Sequence, residues 1–397
     1  MGMASPLILV VNPGSASRKY GLFQGGSERA SLHIEHTADG LSGHISVHGT
    51  LTDIQPKTND LAKVIKEVIS IFHAHDALGK DESIDAIGLR LVAPSSFFLG
   101  DYQVNDEILS KLHELRHAAP LHIGATLDEY DDLAKEFPKI PVVMVSDSAF
   151  HKTKPDYAWN YGIRLQDADT YDIKRFGYHG LSVEASVNSL HATGKLTPKL
   201  IVCHLGSGSS VTAVFKGRSI DNSMGFSPLE GLVMSTRSGS IDYEAALALK
   251  KRMNLDDEAM EEYLYKKSGL LGLGNSADIR ELIDNEAAGD HSANLALNTF
   301  IHHIHKEIGA MATVMNGLDA LIFTGTVGER SAVIRRRIVA HLQYLDMHLD
   351  GDVNDMTLAP DTITNIAQVP QSRPVLVVPT NEAREIARHV EAVLKRS

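Results

Sequence analysis

The chain predicts an α/β protein of two related lobes, each a mixed sheet flanked by helices. Three observations carry this: a strand-turn motif that occurs twice, strand-like and helix-like segments around each copy, and a length that suits two cores. The first copy, LILVVNPGSASRKYGLF, runs from Leu7 to Phe23, and the second, LIVCHLGSGSSVTAVF, from Leu200 to Phe215. Superposed, Asn12 falls on His204, Gly14 on Gly206, Ser15 on Ser207 and Ser17 on Ser209. Each copy is an apolar β-type run, a polar residue, a Gly/Ser hairpin and a second β-type run. Glycine lets the backbone turn tightly, so amides and hydroxyls can converge on an anion such as a phosphate oxygen. One copy alone reads as an ordinary β-hairpin. Two copies, half a chain apart, read as two lobes facing a phosphorylated ligand.

The elements follow in order. Residues 6–50 alternate with turns and predict strands, including His44–Leu51. Residues 58–78 carry apolar positions at helical spacing, with Thr58 or Asn59 as the cap. A short buried strand follows, up to Val92, then a helix over 104–118 and a strand that leads into a loop at Asp147. The second lobe opens with the Leu200 hairpin and continues as strand, loop and helix to about residue 380. Residues 381–397 predict a helix with a basic last turn, which suits the negative end of its dipole. The domain reading is residues 1–150 with the helix 381–397 packing back on them, and residues 151–380 as the nucleotide-side lobe.

Composition narrows the function. Of 397 residues, 43% are hydrophobic and 22% charged, as in an ordinary globular protein. The formal charge of −12, from 50 acidic and 38 basic residues without a Lys/Arg block, argues against nucleic acid or an anionic membrane as partner. Cys203 is the only cysteine, so no intramolecular disulfide can form and a reducing compartment fits. No apolar run reaches the roughly 18 residues of a membrane span, and the start lacks the charged region of a signal peptide. The expected location is the cytoplasm. His302, His303 and His305 lie on a probable helix; without an accompanying carboxylate pattern they read as a solvated or subunit-interface face rather than a metal site.

A series of motifs spans nearly the whole chain: NPGSASRKY at Asn12–Tyr20, APLH at Ala119–His122, SDSAFH at Ser146–His151 and RFGYHG at Arg175–Gly180. HLGSGSS at His204–Ser210, DNSMGFSPLEGLVMSTRSG at Asp221–Gly239, SGLLGL at Ser268–Leu273 and SADIRE at Ser276–Glu281 continue it. FTGTVGE at Phe323–Glu329 and PTNEA at Pro379–Ala383 complete it. In this the sequence resembles the acetate kinase family of short-chain carboxylate kinases. The resemblance implies a two-lobed actin-like ATPase fold (ribonuclease H-like), with duplicated mixed-sheet lobes and the active site in their cleft. It also implies reversible phosphoryl transfer between ATP and a carboxylate such as acetate, Mg²⁺ or Mn²⁺ as cofactor, and a homodimer.

The chemistry asks for such residues. A carboxylate acceptor is already ionised at neutral pH, so no general base is needed. Repulsion between anions is the obstacle, and positive donors, a metal and in-line geometry overcome it. By resemblance, Arg90 and Arg237 hold the substrate carboxylate and the transferring phosphoryl group, and His179 donates to it with His122 nearby. Asp147 and Glu382 are the Mg²⁺-associated carboxylates, with Asn12 beside them. Asn12, Ser15, Ser17 and Lys19 contact phosphate from the first hairpin. His204, Gly206, Ser207 and Gly208 do so from the second, while Asp278, Ile279, Arg280, Gly325, Thr326 and Gly328 form the adenosine side. Val92, Leu121, Tyr178 and Pro228 are the apolar side of the carboxylate pocket. The residues alone leave blander roles open: a structural ion pair for Arg90, a surface pair for Arg237, a solvated strand position for Lys19, caps for Asp147 and Glu382, core for the four apolar residues.

The chain also departs from the family pattern. LRLVAPS stands at Leu89–Ser95 where the family reads HRVVHGG, which predicts an altered face of the acceptor site. Ser207 replaces an Asn, Tyr178 a Phe, and FTGTVGER replaces FTAGIGEN, placing Thr326 where backbone should approach the nucleotide. These changes leave open a propionate- or butyrate-type kinase, a pyrophosphate-dependent variant and a catalytically silent nucleotide binder.

Overall fold

The computed structural model describes residues 5–13, 17–37, 40–116 and 120–396. Ser15 lies outside them, as do the side chains of Leu121 and His122. The chain divides into two compact units, Met1–Ala149 with Asn381–Ser397, and Phe150–Thr380.

The first unit is built on β1 (Leu7–Pro13), β2 (Ser17–Gln24), β3 (Ser27–Thr37), β4 (Gly40–Val47), β5 (Thr50–Ile54), β6 (Ala86–Leu91), β7 (Tyr102–Gln103) and β8 (Val142–Ser146). Their order across the sheet is β5-β4-β3-β2-β1-β6-β8-β7. β1 is antiparallel to β2 and parallel to β6, and β6 is parallel to β8. The run LILVV in β1 is wholly buried because helices cover both faces of this central strand. Ile65–Ala74, Asp106–Leu115 and Pro120–Glu136 share one core with Leu7, Leu9, Val11, Leu89 and Leu91. The helix Glu382–Leu394 packs on β1 and β6 from the other side; a Cβ on Gly88 would lie 2.7 Å from Ile386 and Val390. Side chains alternate along a strand, so Arg90 falls on the face of Gly88 and Leu89 on the opposite one.

Three local expectations are corrected. His48 and Gly49 adopt φ of 49° and 84°, so the strand expected at His44–Leu51 turns into the β4–β5 hairpin. The first helix is a 3₁₀ turn, Leu61–Val64, running into Ile65–Ala74, and its cap is Asp60, which accepts from the Ala62 amide at 3.0 Å. The last helix ends at Leu394, so Lys395 and Arg396 follow it rather than form its last turn.

The second unit carries β9 (Lys199–Leu205), β10 (Ser209–Phe215), β11 (Arg218–Asn222), β12 (Ala320–Thr324), β13 (Thr364–Asn365) and β14 (Val375–Val377), in the order β11-β10-β9-β12-β14-β13. The helix His291–Val314 packs Phe300, Ile304 and Ile308 into a core with Ile201, Cys203 and Leu321. The helix Gly180–Ala192 covers the opposite face through Val183, Val187 and Leu190. This order matches β3-β2-β1-β6-β8-β7 strand for strand, with the same parallel and antiparallel senses. The repeated motif in the sequence is a repeated sheet, to which the first unit adds β4 and β5.

Candidate active site

Parallel strands end along one edge of their sheet, and ligands of open α/β sheets gather at that edge. In the first unit it carries Asn12 on β1, Arg90 on β6, and Asp147 just past β8; the helix Glu382–Leu394 adds its first residue. Arg90 Nη2 donates to Asp147 Oδ2 at 2.9 Å and Nη1 to Asn12 Oδ1 at 3.3 Å. Asn12 Nδ2 donates to Glu382 Oε2 at 3.0 Å, and Arg90 Nη1 lies 4.0 Å from that oxygen. Burial opposes the charge on Arg90, but Asp147 and then Glu382 outweigh it and hold the guanidinium above its ordinary pKa. Asp147 is fully buried. Arg90 Nε is buried with no acceptor among the described residues. On β2, Lys19 pairs across from Asn12, with its own side chain exposed, and Ser17 is half-buried at the start of the strand.

In the second unit His179 caps the helix Gly180–Ala192 with φ of 59°, a left-handed conformation that costs a non-glycine residue of order 1–3 kcal/mol. Its Nδ1 meets Ser210 Oγ at 3.0 Å, and its ring stacks on His204 with centroids 4.2 Å apart. His204 Nδ1 meets Ser182 Oγ at 2.7 Å. A Cβ placed on Gly208 would lie 3.0 Å from His179 Nε2 and 3.6 Å from Arg237 Nη1. The hairpin tip, the imidazole and the guanidinium therefore converge. Arg237 Nη1 donates to Pro228 O at 3.1 Å, which ties the arginine to the SMGFSPLEG segment. Gly325 has φ of +78°, and a Cβ there would lie 2.7 Å from Leu205 O, so only glycine lets β12 turn against the second hairpin.

Against known proteins, an acetate kinase of Caldicellulosiruptor bescii is 36% identical over 98% of this chain and 100% of its own. A crystal structure of a Francisella tularensis propionate kinase superposes with a TM-score of 0.86 at 32% identity, covering 97% of this chain and 98% of that one. A Porphyromonas gingivalis acetate kinase structure gives 0.83 at 30%, covering 98% and 100%. The model of the Acetokinase family matches residues 7–388. The chain belongs to the acetokinase family.

An acetokinase is a phosphotransferase with a carboxyl group as acceptor and ATP as co-substrate, and its duplicated sheet is the actin-like ATPase fold. Among the described residues of this acetokinase no helix is long and apolar enough to cross a membrane. The remaining expected positions are scattered in kind. Val92 is half-buried, and Tyr178 and Pro228 are buried. Ser207 is exposed on the hairpin, where its carbonyl accepts from the Ser235 amide. Thr326 is exposed and Gly328 buried. Asp278 caps the helix Ile279–Ala287 and pairs with the exposed Arg280, while Ile279 belongs to the core. The departures at Leu89 and Ala93 are corrected in their expected effect: both side chains lie in the core of the first unit, and Leu89 points away from the face of Arg90. The sequence reading missed Ser182, Ser210 and Glu329. Ser210 stood in a quoted motif, but nothing local marks a serine as the partner of a histidine on another element.

Proposed function

We propose that this acetokinase catalyses reversible Mg²⁺-dependent transfer of the γ-phosphoryl group of ATP to acetate, giving acetyl phosphate and ADP. The carrying observation is the Arg90 constellation: a half-buried guanidinium braced by Asp147, Asn12 and Glu382. A carboxylate oxygen attacks phosphorus, the new O–P bond forms as the bond to the β-phosphate oxygen breaks, and ADP leaves with that electron pair. No proton moves, because acetate is ionised. Arg90 offsets the negative charge of acceptor and phosphoryl group, and its unused Nε–H suits an anion. Arg237 and His179 donate to the equatorial phosphoryl oxygens, the second hairpin takes the nucleotide phosphates through its amides, and Ser17 and Lys19 add contacts from the first.

Asn12, Asp147 and Glu382 offer only oxygen donors, which fits a hard cation that keeps several waters. Mg²⁺, or Mn²⁺ in its place, supplies charge neutralisation at the phosphates when bound. The likeness to the Francisella propionate kinase favours propionate as a second acceptor. Family resemblance supports a cytoplasmic homodimer joined through the second unit, where Ile241, Tyr243 and Met253 are exposed.

The test is a hydroxamate assay for acyl phosphate, crossing acetate, propionate and butyrate with ATP, GTP and pyrophosphate in the presence of Mg²⁺. The expected result is the strongest signal with acetate and ATP, followed by propionate. No product in any lane, from protein that binds nucleotide, would replace the kinase reading with that of a silent binder.

A further inference from the structure

Thr324, Glu329, Thr380 and Ser182 form a hydrogen-bond chain at the end of β12 and have no role above. Glu329 Oε1 accepts from the Gly325 amide at 3.0 Å, the Thr380 amide at 3.2 Å and the Thr324 hydroxyl at 3.5 Å. The hydroxyls of Thr324 and Thr380 bond to each other. Ser182 Oγ lies 3.5 Å from Thr380 Oγ1 and 2.7 Å from His204 Nδ1. The stations come from β12, the last residue of the unit, the helix Gly180–Ala192 and β9.

An ionised carboxylate can only accept, and each hydroxyl has one proton to give. Those two facts set the direction of every link. Thr324 donates to Glu329, so its oxygen accepts from Thr380. Thr380 then accepts from Ser182, and Ser182 accepts from His204. His204 must carry its proton on Nδ1, and the neutral ring keeps its lone pair on Nε2, beside the hairpin: a Cβ on Gly206 would lie 3.7 Å from that nitrogen. The backbone of the same loop is gripped from behind, where the buried Arg335 donates to Gly328 O and Glu329 O at 2.9 and 3.0 Å.

We infer that Glu329 is a positioning residue: through Thr324, Thr380 and Ser182 it sets the tautomer and ring orientation of His204, and thereby the phosphate-binding hairpin. The inference rests on the reading of that hairpin as the nucleotide side.

The experiment is ¹⁵N spectroscopy of labelled histidines in the ligand-free protein at alkaline pH, the side that favours the carboxylate, since burial pushes the Glu329 carboxyl up. The parent protein should show His204 protonated on Nδ1. Glu329→Ala removes the terminal acceptor, and Thr380→Val removes one station while leaving Glu329 in place. Both should release the proton to Nε2 or to a mixture of tautomers. Both should raise KM for ATP about tenfold, the scale of one hydrogen bond, with KM for acetate within about twofold. Glu329→Gln keeps an acceptor oxygen and should stay nearer the parent than Glu329→Ala. If Glu329→Ala does not fold, Thr380→Val decides. An unchanged His204 tautomer in the folded variants, or equal changes in both KM values, overturns the inference. The tautomer is read without ligand or turnover, so a parent protein that makes no acyl phosphate would count against the kinase reading and not against the relay.

Discussion

The two units build the same six-strand order and load its equivalent strand ends with opposite chemistry. In the first, β1, β6 and β8 lead to Asn12, Arg90 and Asp147, with Glu382 arriving from a helix, a dense knot of formal charge. In the second, β9, β12 and β14 lead to His204, Thr324 with Gly325, and Thr380: an imidazole, hydroxyls and backbone amides gathered on the Glu329 carboxylate. On the proposed function, the scaffold sets where a ligand meets the chain, and the terminal residues set which ligand. A charged edge suits a small anion and a hard cation held against their hydration. An edge of imidazole, hydroxyl and amide groups suits a polyphosphate that must bind and then leave.

The largest expected effect comes from taking the cation out of the charged edge. Arg90→Ala removes the guanidinium that pairs with the fully buried Asp147 and faces Glu382. Breaking such a pair should cost about 3 kcal/mol of stability, measured by denaturant unfolding. Turnover should fall about a thousandfold, the upper range for loss of one charge-stabilising donor. A variant with unchanged stability would mean that the first edge is not held together by charge, and the contrast between the units would fail.

The same operation on the second unit should separate function from stability. Arg237 is half-exposed, and its Nη1 donates to the neutral Pro228 carbonyl. Arg237→Ala and His179→Ala should each lower turnover about 10²- to 10³-fold while the protein still folds. Near-normal turnover in folded Arg237→Ala would remove that residue from the catalytic set.

The fold was legible because its signals are local. The repeated hairpin, the continuous apolar run of β1 and the helical periodicities each sit within about 20 residues of sequence. The charged edge was legible only by family likeness, since Asn12 meets Glu382 across 370 positions. The linkage of the Glu329 chain was not legible, because its stations at residues 182, 204, 324, 329 and 380, four of them in quoted motifs, meet only in the folded unit. The family likeness suggested a changed acceptor face at Leu89 and Ala93, whose side chains lie in the core of the first unit. Alternation along β6 puts Leu89 in the core instead, and the chain closes over Ala93.

The smallest effect tests whether the departure at Tyr178 belongs to the site or to the scaffold. The tyrosine is buried, and its hydroxyl donates to Phe226 O at 2.5 Å. The extra oxygen thus holds the segment that leads to Pro228, the carbonyl partner of Arg237. Tyr178→Phe should lower stability by about 1 kcal/mol, the net worth of one hydrogen bond. The ratio of kcat/KM for acetate to that for propionate should not move. A change in that ratio with stability intact would place the hydroxyl at the acceptor, and would make this position, rather than Leu89 and Ala93, the departure that tunes the substrate.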